Sequence, residues 1–189
     1  MSSGSKERKE QIRLGFMTAV EVGDRNHVGG LLVTDRFGRP LEFQCTTPVK
    51  PNRTQELLYG PTLIPFILGD LLGKALLDRV SVKPSLIMTS RLEMLQLRTK
   101  VTIPIIYDEA STESDSKQAA GNAARSVGQE IRIGRQTFRM HEEFTDDRSA
   151  IERISQQLSD DANMHEPLAR VGEALRETMS TVTARPRVA

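Results

Sequence analysis

The chain has 189 residues, of which 38% are hydrophobic and 27% charged, and its formal net charge is +1. That length suits one domain, or one domain with a small appendage, and the composition excludes a collagen-like, disulfide-stapled or wholly disordered chain. Tryptophan is absent and aromatics are only 4%, so the core is expected to be aliphatic. A charge this near zero gives no argument for bulk affinity for nucleic acid.

The charges are unevenly spread. Residues 1–139 hold 20 Lys/Arg against 15 Asp/Glu, whereas residues 140–178 hold 4 against 10. The acidic stretch coincides with a helical pattern and reads as a solvated helix face or as a docking surface for a basic partner. Cys45 is the single cysteine, which excludes an intrachain disulfide and fits a reducing compartment. It lies in a strand pattern with no histidine near it in sequence, so it reads as a small buried residue, not a nucleophile. The Ser/Lys/Glu-rich start has no apolar run of the secretory kind, and the apolar stretch Leu63–Leu72 is short for a bilayer and interrupted by Pro65, Gly69 and Asp70. A cytoplasmic location is expected.

Residues 1–11 are expected to be disordered. Ile12–Val22 reads as a strand, Gly23-Asp24-Arg25-Asn26 as a turn and Val28–Thr34 as a second strand opened by Gly29-Gly30. A polar turn across Gly38 leads to a third strand, Leu41–Thr47, in which Leu41, Phe43 and Cys45 alternate with Glu42, Gln44 and Thr46. That alternation predicts one buried and one wet face, and the three strands predict an antiparallel meander. Pro48 and Pro51 end it. A short helix over 54–58 and a longer one from Thr62 to about Leu77 follow, the latter apolar nearly all round and therefore buried on more than one side. Gly69 and Gly73 share a face of that helix, which predicts a close neighbouring backbone.

Ser85–Thr89 reads as a strand, Arg91–Leu97 as a helix and Val101–Tyr107 as a strand, the rhythm of parallel crossovers. Residues 12–107 thus form the expected sheet domain, and 108–129 read as a linker or surface loop, with a lid as the alternative. Glu130–Ile133 and Gln136–His141 predict a hairpin with a basic side. Helices over 148–159 and 166–179 follow, the second with Leu168, Val171, Leu175 and Met179 as its stripe. Their apolar stripes are too small a core alone, so they must pack on the sheet or on a partner. Residues 180–189 read as a frayed tail. The expected fold is α/β: a mixed five-stranded sheet, three antiparallel strands and then β–α crossovers, followed by a β-hairpin and a C-terminal helical pair.

The order from 12 to 107, with the helix followed by Lys83-Pro84-Ser85-Leu86-Ile87, resembles the ribonuclease-H-like architecture and within it the endonuclease V branch. The resemblance covers about half the chain and rests on order of elements. It implies a metal-dependent nuclease with carboxylates at the middle of the first strand, in the first helix region and at the end of the fourth strand, so that two Mg²⁺ flank the scissile phosphate. The residues that answer to those places are Glu21 on the first strand and Glu56 near the first helix. After the fourth strand stands Thr89-Ser90, with no acid until Glu93. Two carboxylates fall short of the usual metal set.

Other sites are weaker still. His141-Glu142-Glu143 with Asp146-Asp147 is the densest group of potential ligands, but acids before a helix stabilise its positive end and explain themselves. His27 and His165 read as turn and capping residues, and the glycine-containing segments lack the context of a phosphate loop. Arg39, Lys50 and Arg53, around Pro40, Pro48, Pro51 and Pro61, together with Arg132 and Arg135 of the hairpin, are the expected binding cations. With no competent catalytic set, the expected function is a non-catalytic interaction subunit or adaptor of a cytoplasmic, bacterial-type assembly, with a protein partner or a second copy of the chain and no cofactor. The alternative is a metal-dependent, Mg²⁺-using nucleic-acid-processing enzyme of ribonuclease-H-like type, degenerate if Glu21 and Glu56 do not converge. A small-molecule site beside Gly69 and Gly73 is a third reading.

Overall fold

Strand β1 (Arg13–Val22) alternates its side chains between two apolar layers, so it must lie at the centre of a covered sheet. The computed structural model describes residues 11–110 and 127–184. In it β1 pairs antiparallel with β2 (Asn26–Asp35) and parallel with β4 (Leu86–Thr89). Leu14, Phe16 and Val20 point to one layer with Val28, Leu32 and Met88. Met17 and Ala19 point to the other with Leu31, Val33 and Ile87.

The sheet has seven strands in the order β3-β2-β1-β4-β5-β7-β6. The expectation of five strands with a separate hairpin is therefore corrected. Strand β5 (Ile105–Tyr107) pairs parallel with β4, and its free edge takes up β7 (Gln136–His141) antiparallel through Ile106↔Met140. The hairpin partner β6 (Val127–Ile133) closes that side of the sheet. Ile131, Ile133, Phe138 and Met140 belong to the same core as β1, so the hairpin extends the sheet because its inner face is apolar. Strand β6 begins at Val127, three residues before the expected start. The expected linker 108–129 lies mostly outside the described residues, as do residues 1–10 and 185–189.

Strand β3 (Pro40–Cys45) departs from the predicted alternation. Leu41 and Phe43 are 44% and 41% exposed, because β3 is the outer edge of the sheet. The Glu42 carboxylate accepts the backbone N–H groups of Ser81 (3.0 Å) and Val82 (2.7 Å) just past a helix end. Those two bonds and the Gln44 amide hold its carboxyl below the usual carboxylate range, Val82 contributing most.

On the Met17 face, helix α1 (Arg53–Tyr59) begins in a capping box between Asn52 and Gln55 and ends at Gly60, whose φ of 50° lies where a side chain is disfavoured. A 3₁₀ turn, Gly60–Thr62, leads into helix α2, made of Leu63–Pro65, a π-helical segment Phe66–Gly73 and Lys74–Arg79. Its residues Leu68, Leu72 and Leu76 pack on the sheet, which is the reason for its apolar composition. Short helix α3 (Leu92–Leu95) and the 3₁₀ turn Gln96–Thr99 sit in the groove left by the two glycines. A Cβ on Gly69 would meet the Glu93 carbonyl at 3.1 Å, and one on Gly73 would meet Leu97 at 2.4 Å. On the opposite face lie α4 (Asp147–Ser155) and the 20-residue α5 (His165–Ala184), which runs beyond the expected end at 179.

Candidate functional site

The parallel register of β1 and β4 sets Met17 beside Thr89. One residue further along each strand, Thr18 and Ser90 face the α5 side, and their hydroxyl oxygens are 2.6 Å apart and buried. The next strand continues the row. Asp108 follows β5, its backbone N–H donates to the Thr89 carbonyl at 2.8 Å, and its side chain is fully buried. Above it, the first residue of α5, His165, pairs through Nδ1 with Asp108 Oδ2. The other carboxylate oxygen of Asp108 accepts the Ala110 N–H at 3.1 Å.

A pocket of about 470 Å³ opens over this row, between the sheet and the first half of α5. Thr18, Ser90 and Arg91 line it from the sheet, and His165, Ala169, Gly172, Glu173 and Arg176 line it from α5. Crevices outside the carboxyl ends of parallel strands are where sheets of this kind bind ligands. Asn163 Oδ1 fixes the start of α5 by accepting the N–H groups of His165 (3.0 Å) and Glu166 (3.2 Å).

The acidic residues expected to carry metal chemistry are dispersed. Glu21 is exposed on β1 and lies across from His27 on β2, on the opposite face from Thr18. Glu56 is engaged by Arg25 at 2.5 Å and Arg53 at 3.3 Å. Glu93 is buried under the other face and faces Arg91 at 3.4 Å. Among the described residues no group of three His, Cys, Asp or Glu side chains gathers around a cation position. The residues at the middle of β1 and the end of β4 are hydroxyls that hydrogen-bond to each other, so the donor set does not fit a Mg²⁺ pair.

The cluster around His141 is likewise committed elsewhere. Asp147 holds Arg98 through two bonds of 2.6 and 2.9 Å, and Arg98 lies 4.0 Å over the Phe144 ring. Burial drives the His141 imidazole below its usual range, and the same cause acts on His27, which sits under the edge of the meander.

The expected binding cations are spread out. Arg39 is exposed at the β2–β3 turn, and Lys50 pairs with Asp24 near the β1–β2 turn. Arg53 opens α1, and Arg132 and Arg135 lie on the hairpin, the latter 2.9 Å from Asp161. The residues that converge, Thr18, Asp108 and His165, carry no local motif. The available signal was positional: polar residues directly ending the apolar runs of β4 and β5.

No protein family matches the sequence, and no curated protein matches it. Solved structures do. The catalytic domain of human endonuclease V superposes with a TM-score of 0.53 at 12% identity, over 94% of this chain and 86% of that chain. A second human endonuclease V structure gives 0.49 at 10% identity, over 93% and 87%. The Ciona intestinalis enzyme, complexed with DNA that contains inosine followed by a ribo-adenosine, gives 0.48 at 10% identity, over 96% and 90%. The expectation of a protein partner or homo-oligomer is corrected by the likeness to the catalytic domain of human endonuclease V, a nuclease by its name and not an adaptor or assembly subunit. By fold, this chain resembles the endonuclease V catalytic domain, with its ribonuclease-H-like architecture.

Proposed function

We propose that this protein binds nucleic acid on an endonuclease V-like fold from which two-metal strand cleavage has been lost. The single observation that carries the second half is the hydroxyl pair Thr18–Ser90, 2.6 Å apart. It occupies the two places, mid-β1 and the end of β4, where the resemblance calls for carboxylates. A threonine and a serine hydroxyl are neutral at neutral pH and cannot offset the charge of two divalent cations.

Nucleic-acid binding is supported by the fold and by the dispersed cations. Lys50, Arg53 and Arg135 are held only by exposed ion pairs. Such pairs contribute roughly 0–1 kcal/mol, so a phosphate replaces the carboxylate at little cost. Arg39 and Arg132 are exposed as well, at opposite edges of the sheet.

The test is a fluorescence anisotropy titration with labelled single-stranded and duplex DNA and RNA, with and without inosine, in Mg²⁺ and in EDTA. Binding that weakens with salt, is unchanged by EDTA and is accompanied by no strand cleavage in Mg²⁺ or Mn²⁺ is the expected result. Metal-dependent cleavage by the wild-type protein would overturn the loss of catalysis. Absence of binding to every oligonucleotide at low salt would overturn the ligand class.

A further inference from the structure

The β2–β3 turn, Asp35-Arg36-Phe37-Gly38-Arg39, sets an aromatic ring in water between two arginines. One carboxylate fixes it: Asp35 Oδ1 accepts the N–H groups of Phe37 (2.8 Å) and Arg39 (3.0 Å), and Gly38 takes the φ of 78° that the turn requires. Phe37 is 70% exposed, more than any other described aromatic, and the Arg36 guanidinium lies 4.7 Å from its ring centroid. Arg36 and Arg39 are both exposed, and among the described residues neither is in an ion pair. The turn is also part of the wall of a second cavity, of about 490 Å³, whose apolar lining includes buried Phe16 and Met164. The other charged groups on that wall are matched: Asp161 holds Arg135 at 2.9 Å, and Glu166 holds Arg170 at 2.8 Å. Arg36 is therefore the one charge on it without a counter-ion among the described residues.

We propose that Phe37 is a stacking platform for an unpaired base of a single-stranded nucleic acid, with Arg36 and Arg39 on the flanking phosphates. The inference rests on the nucleic-acid-binding reading and names the form of nucleic acid and the residues that meet it. An aromatic face between two unmatched cations repeats the alternation of base and phosphate along a strand. The adjoining cavity gives the base an apolar place to enter. A duplex fits poorly, because both faces of each internal base are already covered by its neighbours. A phenyl ring offers no hydrogen bond to a base edge, so the platform accepts any base.

The experiment titrates the full-length protein with labelled oligothymidylate and with a duplex of the same length, over a series of salt concentrations. Phe37→Leu is expected to weaken single-strand binding about fivefold to about 100-fold, the loss of one stacked base, and to leave duplex binding and the salt slope unchanged. Arg39→Gln is expected to lower the single-strand salt slope by about 0.7, the loss of one phosphate contact. Single-strand affinity equal to wild type in Phe37→Leu, or an equal loss on the duplex, overturns the platform while nucleic-acid binding stands. A wild-type protein that binds neither oligonucleotide at low salt overturns both. Should Phe37→Leu fail to fold, photocrosslinking of the wild type to a strand carrying 5-iodouracil decides. An adduct mapped by mass spectrometry to Phe37 supports the platform, and adducts confined to other residues overturn it.

Discussion

Gly30, midway along β2, and Val171, on the inner side of α5, define how closely helix and sheet approach. A Cβ on the glycine would lie 2.9 Å from Val171 Cγ1 and 3.0 Å from Leu175 Cδ2. On the other face of the same strand, a Cβ on Gly29 would lie 3.1 Å from Leu72 Cβ of α2. The adjacent pair therefore thins the sheet on both sides at once, and the two helical layers settle into it.

Gly30→Ala is accordingly expected to destabilise the protein by about 1–3 kcal/mol, the range for overpacking a well-filled core. The chain has no tryptophan, so the measurement is urea unfolding followed by far-UV circular dichroism. A midpoint equal to wild type would show that α5 shifts freely, contrary to its fixed packing.

The opposite outcome is expected one layer up. Gly172 is an interior residue of α5 whose added Cβ meets nothing closer than the far end of Arg176, at 3.4 Å. Gly172→Ala is expected to stabilise by about 0.5–1 kcal/mol through helix propensity. Calorimetry checks it, and a melting temperature at or below that of wild type would overturn it.

Arg98 ties α4 to the turn after α3. Its guanidinium makes the two-pronged contact with Asp147 and donates to the Val101 carbonyl at 2.6 Å, all with side chains mostly buried. Lysine cannot reproduce that fork or the stack on Phe144. Arg98→Lys is expected to cost about 1–3 kcal/mol, close to the loss from Asp147→Asn, with the double variant less than the sum. A double-mutant cycle in thermal unfolding checks it, and strict additivity would deny the coupling.

The meander and the helix after it were legible from local pattern: alternation of period two, turn residues at the crests, and an all-round apolar helix. The union of hairpin and sheet was not, because it depends on which edge β5 leaves open, and no residue within the hairpin encodes that. Strand parity decided the reading of the site. Glu21 was the only acid on β1, but an odd residue points away from the face that carries Thr18, so the right strand gave the wrong face. The Asp108–His165 pair spans 57 residues of sequence, and its partners are brought together by the packing of α5 on the sheet, against β1 and β2. Local patterns carry no information at that range.

Stability is expected to fall as the medium is acidified below neutrality. His27 and His141 both have imidazoles lowered chiefly by burial. The unfolded chain, with ordinary histidines near pH 6.5, then binds more protons than the folded one, so ∂ΔG/∂pH of unfolding is positive below that point. The contribution is complete above the unfolded value and is lost as pH drops through the depressed folded values. Urea midpoints measured between pH 7.5 and 5 check the slope, and His27→Asn should reduce it. A slope of the opposite sign would mean that Glu21 and Glu93, which raise the His27 value, outweigh its burial.

The Thr18–Ser90 contact also allows the lost chemistry to be tested by reversal. Two oxygens at 2.6 Å, on adjacent parallel strands, stand close enough for side chains one atom longer to share a cation. In Thr18→Asp/Ser90→Asp, two carboxylates face each other in a buried place, and their repulsion is expected to lower the melting temperature in EDTA. Manganese should then restore it, because a bound cation stabilises the folded state in proportion to its concentration over its dissociation constant. Wild type should show no such shift. Titration calorimetry with Mn²⁺ measures the affinity directly, and a folded double variant that binds no metal would show that mid-β1 and the end of β4 lack the geometry of a cation site.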